Sequence, residues 1–415
     1  MSRRAVEWGK DLLIIALLAL AALMVHELGI LANTPLARVG NGGTPVLGAE
    51  RVTAEAARPY VIVVTNETGE RLALKYGMDE LDMAYRRLSS ILGEALGSAT
   101  VPVETTEREW RSALGAYNIY FEYRTAVELP IVAGWLGADD VPDTQIMTRR
   151  MCVSFLGDTS RIFIADEPNG KYYRFATAAL GATPQGIGSF AEGLQFEFER
   201  NSASPAPYML LQDTPHRAVV SYNPIEASDD SAAMDSLLEF LGLSSQYQSS
   251  YADPDGTRVY VTNAFIFSVS PTGRASYRVT DQPSPSESSD DLGTAIEVAR
   301  RAAAGTVGAL SGEARVQFTG VSVVDGAANV TFDYFIAGGR VFLQGAAHAA
   351  RVTVRHGTVV DMTLNFRSYS QTEMLIPLLP ERQAIAAANG EFRLGYSDAV
   401  GSILEPYWYA EEVSG

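Results

Sequence analysis

The longest apolar stretch of the chain runs from Leu12 to Leu31 (LLIIALLALAALMVHELGIL) and stays apolar until His26 and Glu27. At about 1.5 Å per residue, a helix of this length reaches roughly 30 Å, the thickness of the hydrocarbon core of a bilayer. The pattern therefore predicts one transmembrane helix. Three basic residues precede it, namely Arg3, Arg4 and Lys10. Because positive residues favour the cytoplasmic side, residues 1–11 should lie inside and the rest of the chain outside.

The alternative for this stretch is a cleaved signal peptide, which also has a charged start, an apolar centre and small residues near its end. The candidate cleavage positions, Gly29–Ala32, lack the A-x-A pattern of a cleavage site. The length of the apolar stretch also favours a retained membrane anchor.

Within the predicted membrane helix, Ala16, Ala19 and Ala22 recur at every third position. Small residues along one side of a membrane helix admit the close approach of another helix. These three alanines are therefore the candidate contact with a partner helix. The alternative is that they reflect the ordinary alanine content of an apolar helix.

The ectodomain begins after a stalk, residues 32–58, which is rich in proline and glycine. Tyr60–Thr65 is typical of a buried strand and Arg71–Lys75 alternates, so the two segments predict a hairpin. The apolar positions of Asp79–Leu96 repeat at three and four, which predicts an amphipathic helix that ends at Gly97.

A second, shorter helix should follow Thr106 and Glu109, whose spacing is that of a capping box. Four strands are predicted after it, at Asn118–Tyr123, Met151–Leu156, Arg161–Ala165 and Lys171–Phe175. Helices and strands together predict an N-terminal α+β domain at residues 59–222. Phe190–Arg217 mixes apolar and polar residues without a clear period, so no element is predicted there.

Two later sections share one design, a helix followed by antiparallel strands. In the first, a helix from Asp229 to Gly242 precedes the hairpin Phe265–Tyr277. In the second, a helix at Leu292–Leu310 precedes the hairpin Ala350–Val360. The acidic, Pro/Ser-rich segment Asp281–Asp291 between them is typical of a solvated linker or long loop. The shared order suggests a duplicated module.

These sections define a middle module, residues 223–283, and a C-terminal module, residues 284–415. In the latter, strands on either side of Asp325-Gly326 should form a meander against the preceding helix, and Pro380–Ala388 and Glu405–Tyr409 predict a short helix and a final edge strand. The predicted fold class is α+β. One N-terminal transmembrane helix is followed by a multi-domain ectodomain of antiparallel sheets packed with helices.

The composition narrows the function. The formal net charge is -17, from 49 acidic and 32 basic residues, so phosphate polymers are repelled and nucleic acid is not an expected partner. The hydrophobic share of 47% indicates a folded ectodomain. The single cysteine, Cys152, forms no intrachain disulfide and lies in an alternating segment, which predicts a small buried residue.

No motif indicates catalysis, a cofactor or a metal. The four histidines have no partner at metal-ligand spacing; they are His26, His216, His348 and His356. Gly186–Ser189 fits neither a nucleophile elbow nor a dinucleotide fingerprint and predicts a loop. Asp253–Gly256 resembles the start of a calcium loop, but its twelfth position is Ala264 instead of Glu, which favours a turn. Several acids have no feature that distinguishes them from surface charge, namely Asp139, Asp140, Glu192, Glu197 and Glu199.

Short phrases along nearly the whole chain carry a family resemblance. Three lie in the N-terminal part, Pro59–Thr65, Ala95–Ala99 before Trp110, and Gly134–Gly137. Three lie in the C-terminal part, Phe332–Phe335, Gly339–Val341, and the strand pair around Gly357 that leads to Arg367–Tyr369. With the basic N-terminus, the single membrane helix and the acidic ectodomain, they resemble the YycH/YycI (WalH/WalI) regulators of Gram-positive bacteria.

The resemblance implies a non-enzymatic accessory protein of a cell-wall-regulating two-component system. In such a protein the membrane helix and the ectodomain contact a sensor histidine kinase and adjust its activity. A related YycH/YycI-type partner is implied as well, since the two relatives are thought to pair. The direction of the effect on the kinase does not carry over from the family.

Two other classes of function remain as alternatives. The first is an extracytoplasmic binding module for a peptide or wall fragment, with aromatic platforms at Trp110, Trp135, Tyr172, Tyr173 and Trp408. The second is an envelope hydrolase, which requires a Ser-His pair or a cleft that collects acids. A binding module predicts a concave aromatic pocket, whereas an interaction protein predicts an exposed apolar patch or an open sheet edge.

Overall fold

The computed structural model describes most of the chain beyond residue 57. The described residues are 58–76, 78–138, 141, 144–157, 159–178, 191–195, 207–211, 215–225, 232–243, 249–280, 291–387, 391–398 and 403–411. The predicted membrane helix at 12–31, with Ala16, Ala19 and Ala22, lies outside them, as do residues 1–11 and most of the stalk and acidic linker. Among the residues described, no helix is long and apolar enough to cross a membrane.

The first half of the chain supplies nine strands. They are β1 (Val61–Thr65), β2 (Arg71–Leu74), β3 (Val103–Thr105), β4 (Asn118–Glu128), β5 (Met147–Leu156), β6 (Thr159–Asp166), β7 (Lys171–Thr177), β8 (Ala191–Gln195) and β9 (Tyr208–Leu210). They form one antiparallel sheet, the first sheet, in the order β3-β7-β6-β5-β4-β1-β2-β8-β9. The hairpin predicted from Tyr60 to Lys75 is confirmed, since β1 pairs with β2.

The second half supplies the remaining strands of the described chain. They are β10 (His216–Tyr222), β11 (Ser249–Ala252), β12 (Arg258–Val261), β13 (Phe265–Val269), β14 (Arg274–Val279), β15 (Arg315–Val324), β16 (Ala327–Ile336), β17 (Gly339–Leu343), β18 (Ala350–Arg355), β19 (Thr358–Asn365), β20 (Ser368–Ile376), β21 (Glu391–Asp398), β22 (Ile403–Leu404) and β23 (Pro406–Glu411). The second sheet has the order β11-β12-β13-β14-β19-β18-β16-β17-β21-β23, with β15 paired to β16. A third, small sheet has the order β20-β10-β22.

Six helices of the described chain cover these sheets. They are α1 (Met78–Gly97), α2 (Glu107–Gly115), α3 (Leu129–Trp135), α4 (Ala232–Phe240), α5 (Leu292–Gly305) and α6 (Glu381–Ala387). The helices α1 and α2 lie against the first sheet, and α5 lies against β15, β16, β18 and β19 of the second. The fold of the described chain is thus α+β with antiparallel sheets, as the periodicity predicts, except that β17 and β21 of the second sheet pair in parallel.

Several local predictions are confirmed in detail. Thr106 caps α2, because its side chain accepts a hydrogen bond from the backbone N–H of Glu109. The two predicted hairpins are β13–β14 and β18–β19, and β14 pairs with β19, so strands of the predicted middle and C-terminal modules share one sheet. Cys152 is fully buried, and burial raises the pKa of its thiol.

Two predictions differ from the structure. The helix expected to run to Leu310 ends at Gly305, and a short 3-10 turn follows. A Cβ at Gly305 would lie 2.1 Å from the ring of Phe240, so α4 packs directly on the end of α5. The segment Phe190–Arg217, for which no element was predicted, contributes β8, β9 and the start of β10.

Candidate interaction surface

An apolar run on the surface is the feature that best fits an interaction protein. We call Met374–Pro380 (MLIPLLP) the apolar edge segment. Met374, Leu375 and Leu379 are 51%, 55% and 56% exposed. Monomeric soluble proteins rarely leave several large apolar side chains together in water, so such a patch marks a contact surface.

The apolar edge segment begins at the end of an edge strand. In the third sheet β20 pairs with β10, and on its other side an isolated bridge joins Tyr369 to Gly312. Beyond Gln371, no further strand of the described chain pairs with that side of β20. The pairing shifts between Arg217 and Val219, so that three residues of β20, Thr372–Met374, lie opposite one residue of β10. Such a bulge bends an edge strand and redirects its side chains, here toward solvent. An edge strand can also receive an added strand from a partner.

The backbone of the apolar edge segment is fixed although its side chains are exposed. Ile376 pairs with His216 of β10. The indole Nε1 of Trp408 donates a hydrogen bond of 2.8 Å to the carbonyl of Leu379. The carbonyl of Pro380 accepts from the first turn of α6. A surface held in place before binding loses less entropy when a partner docks.

The helix α6, which follows the segment directly, is tied to the first sheet by three buried residues. We call Lys75, Tyr76 and Glu381 the buried junction. The Nζ of Lys75 lies 2.5 Å from Oε1 of Glu381, and the hydroxyl of Tyr76 donates 3.2 Å to Oε2. Burial, the largest single cause, lowers the pKa of Lys75, but the interactions with Glu381, Tyr76 and Glu122 together outweigh it, so the pKa is raised above its ordinary value. Burial, and then the same carboxylate, raise the pKa of Tyr76.

Charged side chains frame the apolar edge segment. Arg217 Nη1 lies 2.8 Å from the carboxylate of Glu373, which is fully exposed, and Arg382 is exposed on the first turn of α6. An apolar centre with a polar rim is the usual anatomy of a protein interface. An exposed ion pair of this kind contributes little to stability, so the rim is free to serve recognition.

A second group of buried charges joins the first and second sheets. The carboxylate of Glu122 on β4 accepts 2.7 Å from the hydroxyl of Tyr120 and lies 3.4 Å from both Arg149 and Arg150. Arg393 of β21 approaches it at 3.8 Å from the second sheet. Burial, and then Glu122, raise the pKa of Tyr120. These contacts are structural, since they pair the charges of two packed sheets.

The histidines do not assemble a hydrolase site in the described part of the chain. His216 is buried against the rings of Tyr76 and Trp408, at 5.2 and 5.7 Å between centroids. His348 Nδ1 lies 2.9 Å from Asp333, a carboxylate that also binds Arg340, and no serine, threonine or cysteine side chain among the described residues bonds to His348. His356 lies in a turn with φ 50. His26 lies outside the described residues.

The predicted aromatic platforms do not share one pocket. Trp110 is buried beside Tyr172, with 6.3 Å between ring centroids. Trp135 lies at another place, against Phe318 of β15, and Trp408 packs on Tyr76. The calcium-like Asp253–Gly256 is a turn, as predicted, in which Gly256 has φ 83. Asp139, Asp140, Glu197, Glu199 and Gly186–Ser189, like the side chain of Glu192, lie outside the described residues.

The apolar edge segment is visible in the sequence as an unusual apolar run. The run MLIPLLP is apolar at every position and contains two prolines, so neither strand nor helix periodicity applies to it. The sequence predicts a helix from Pro380 but no element for the residues of the run before it. Only the fold shows that the run lies at a sheet edge in solvent.

Comparisons with known proteins add one match. No protein-family model matches the sequence, and no curated protein matches it. Among solved structures, the fold is similar to the crystal structure of YycH from Bacillus subtilis, with a TM-score of 0.55 and 12% sequence identity, over 87% of this chain and 95% of that chain. The chain therefore has a YycH-like fold, and the resemblance stated from the sequence phrases is confirmed at the level of the fold.

Proposed function

We propose that this chain, with its YycH-like fold, is a membrane-anchored extracytoplasmic regulator of a cell-wall sensor histidine kinase. It acts by protein contact and not as an enzyme. The observation that carries the proposal is the similarity in fold over 87% of the chain. The YycH-like and YycI-like sequence phrases, which occur in order along the chain, support it independently, because they are features of the sequence and not of the structure.

The proposed location follows from the apolar pattern. Leu12–Leu31 is the anchor, residues 1–11 lie in the cytoplasm, and the ectodomain lies outside the membrane. In this arrangement Ala16, Ala19 and Ala22 are placed to contact a helix of the kinase within the bilayer. A related YycH/YycI-type protein is the second proposed partner.

We assign the ectodomain contact to the apolar edge segment. A partner would bury its three exposed Met and Leu side chains, and because each is already about half buried, each would contribute about 1 kcal/mol, roughly half of the value for full burial. Beyond Gln371, the edge of β20 offers backbone groups to an extended segment of the kinase, which combines apolar anchors with strand addition.

The test is retention of the kinase from detergent-solubilised membranes. Four versions are compared: the full-length protein, a version with an unrelated membrane helix, the Leu375→Glu variant and the Val323→Glu variant. Val323 is the matched control, because it is 56% exposed on β15, whereas Leu375 is 55% exposed in the segment. We expect Leu375→Glu to lower retention about tenfold or more and Val323→Glu to leave it unchanged.

The version with the unrelated helix separates the two proposed contacts. We expect it to retain part of the kinase through the ectodomain. Bulky substitutions at Ala16, Ala19 or Ala22 should likewise change kinase output while membrane insertion is preserved. If neither the full-length protein nor the replaced-helix version retains the kinase, the regulatory proposal fails.

A further inference from the structure

A cleft between the first and second sheets has the features of a small-molecule site. Its volume is about 380 Å³, and ligand pockets begin at roughly 300 Å³. Its walls come from β4 and α3 on one side and from α5 and β15 on the other. It lies apart from the apolar edge segment, and no residue of that segment lines it.

An irregularity of β4 points consecutive residues into the cleft. Glu122 pairs with Arg150 and Val127 with Thr148, so the four residues 123–126 of β4 lie opposite one residue of β5. In a regular strand alternate side chains face opposite sides, but here Tyr123, Arg124 and Thr125 all line the cleft. Strand irregularities of this kind commonly redirect side chains toward functional sites.

The charged side chains that line the cleft are all positive. Every charged side chain among the described residues that line it is an arginine; the four are Arg58, Arg124, Arg300 and Arg315. Three carboxylates approach these arginines: Asp82 binds both Arg58 and Arg315, Asp79 lies 3.7 Å from Arg315, and Glu297 binds both Arg300 and Arg301. None of the three lines the cleft, so its charged lining is positive in a chain whose net charge is -17.

The guanidinium of Arg124 lies against two aromatic rings. Its carbon atom lies 3.7 Å from the ring centre of Phe335 and 5.2 Å from that of Tyr60. Its Nε donates a hydrogen bond to the side-chain amide of Gln317, which belongs to the second sheet. Stacking fixes the plane of the guanidinium, and a planar fork of N–H donors matches carboxylate and phosphate oxygens.

Two buried polar atoms at the cleft lack hydrogen-bond partners within the described structure. The hydroxyl of Tyr123, a residue that is 4% exposed, has none, and the Nη1 of Arg315 has none either. Buried polar groups are normally hydrogen-bonded, and each exception calls for a reason. Both residues line the cleft, but these two atoms are themselves covered by protein, so they belong to its inner wall and are not contacts that a ligand reaches.

Part of the remaining wall is aromatic. Trp135 and Phe318 lie edge to face, with 6.4 Å between their ring centroids. Gly312 lines the opposite side with φ +68, and a Cβ there would lie 2.5 Å from the carbonyl oxygen of Tyr369. A ligand for this cleft therefore needs an acidic group for the arginines and an apolar group for the aromatic wall.

We propose that the cleft binds a small organic anion that carries a carboxylate or phosphate group next to an apolar group. The site is independent of the kinase contact and of the apolar edge segment. Because residues of both large sheets line it, an anion bound there contacts both sheets at once and favours their packed arrangement by its binding free energy.

The test is titration calorimetry on the purified full-length chain with four probes. Phthalate and phenyl phosphate carry an acidic group on a ring, benzamide is the neutral ring, and inorganic phosphate is the anion without a ring. We expect saturable one-to-one binding of phthalate or phenyl phosphate with a Kd below about 1 mM. Benzamide should not bind, and inorganic phosphate should bind about tenfold more weakly than phenyl phosphate. The tighter of the two ring anions identifies the acidic group that the cleft prefers.

Matched variants connect the binding to the cleft. Arg300→Gln should weaken binding about tenfold or more, since a charged hydrogen bond is lost. Arg301→Gln is the control, because Arg301 binds the same carboxylate of Glu297 but does not line the cleft.

Two results overturn the proposal. The first is the absence of saturable binding for both ring anions up to about 10 mM. The second is equal weakening by Arg300→Gln and Arg301→Gln, which would place the effect in the folding of α5 instead of the cleft. Neither result bears on kinase retention, so the proposed function would stand.

Discussion

The buried junction and the apolar edge segment meet where Glu381 follows Pro380 in the chain. Their side chains have opposite exposure to solvent. At the junction, charged side chains lie inside: Lys75 and Glu381 are each 7% exposed. In the segment that ends one residue before Glu381, Leu375 and Leu379 lie outside, each more than half exposed. Both arrangements invert the general rule that apolar residues lie inside and charged residues outside.

The difference shows which inversion serves the fold. The charges of the junction are paired with each other, so they fix one arrangement of α6 on the first sheet and are costly to break. The exposed side chains of the segment bury little area within the chain, so the fold gains little from them. An apolar surface that contributes little to the stability of the fold is best explained by a partner that binds to it.

The largest effect is expected from breaking the junction. Glu381→Ala leaves Lys75 buried without its counter-charge, which should lower the free energy of unfolding by about 3–5 kcal/mol. Urea denaturation measures the loss. The double variant Lys75→Met/Glu381→Leu removes both charges and should recover most of the stability. If Glu381→Ala costs less than about 1 kcal/mol, the junction does not hold α6 in place.

A smaller loss is expected when the junction keeps its ion pair but loses one hydrogen bond. Tyr76→Phe removes the hydroxyl that donates to Oε2 of Glu381. Because hydrogen bonds to charged groups contribute about 1.5–3 kcal/mol, the same urea experiment should show a loss in that range. Tyr123→Phe is the matched control, since its buried hydroxyl has no partner within the described structure and its removal should cost nothing. Equal losses in the two variants would contradict the assignment.

The next effect depends on pH. Burial lowers the pKa of His216 below its ordinary value of 6.5, so the unfolded state binds a proton more readily than the folded state. The contribution of His216 to stability is complete above pH 6.5 and is lost as the pH falls through the lower pKa of the folded state. As the pH is lowered below 6.5, the melting temperature of the natural protein should therefore fall more steeply than that of His216→Phe.

The natural protein is the control for that experiment, because it differs from His216→Phe at residue 216 alone. An unchanged profile in His216→Phe would show that His216 has no part in the pH dependence.

The smallest effect on stability is expected in the apolar edge segment. Leu375→Glu changes a side chain that is 55% exposed, so the free energy of unfolding should stay within about 0.5 kcal/mol of its natural value. Urea denaturation checks this before any binding experiment. A loss comparable to that of Glu381→Ala would mean that the segment supports the fold, and the comparison between the two regions would no longer hold.

Local elements could be predicted from the sequence because their signals are local. The hairpin of β1 and β2 and the helix α1 follow from periodicity and turn residues within some twenty positions, as does the Thr106 cap. The sites were not predictable in this way. Lys75 and Glu381 are 306 positions apart, and no pattern in either neighbourhood indicates the other.

The exposure of the apolar edge segment could not be predicted from its sequence either. Its sequence is as apolar as that of a buried strand, and exposure depends on whether the fold covers it. The arginine-lined cleft likewise arises from an irregularity of β4 and from the packing of a distant strand, β15. The irregularity lies within a strand whose first half, Asn118–Tyr123, was predicted as regular.

The central claim is that this chain changes the output of a sensor histidine kinase through contact. The most direct measurement is the autophosphorylation rate of the kinase in proteoliposomes, with and without the full-length chain. The account predicts that the natural protein and Val323→Glu change the rate in the same direction, whereas Leu375→Glu leaves it near the rate of the kinase alone. A rate that the natural protein does not change would contradict the claim.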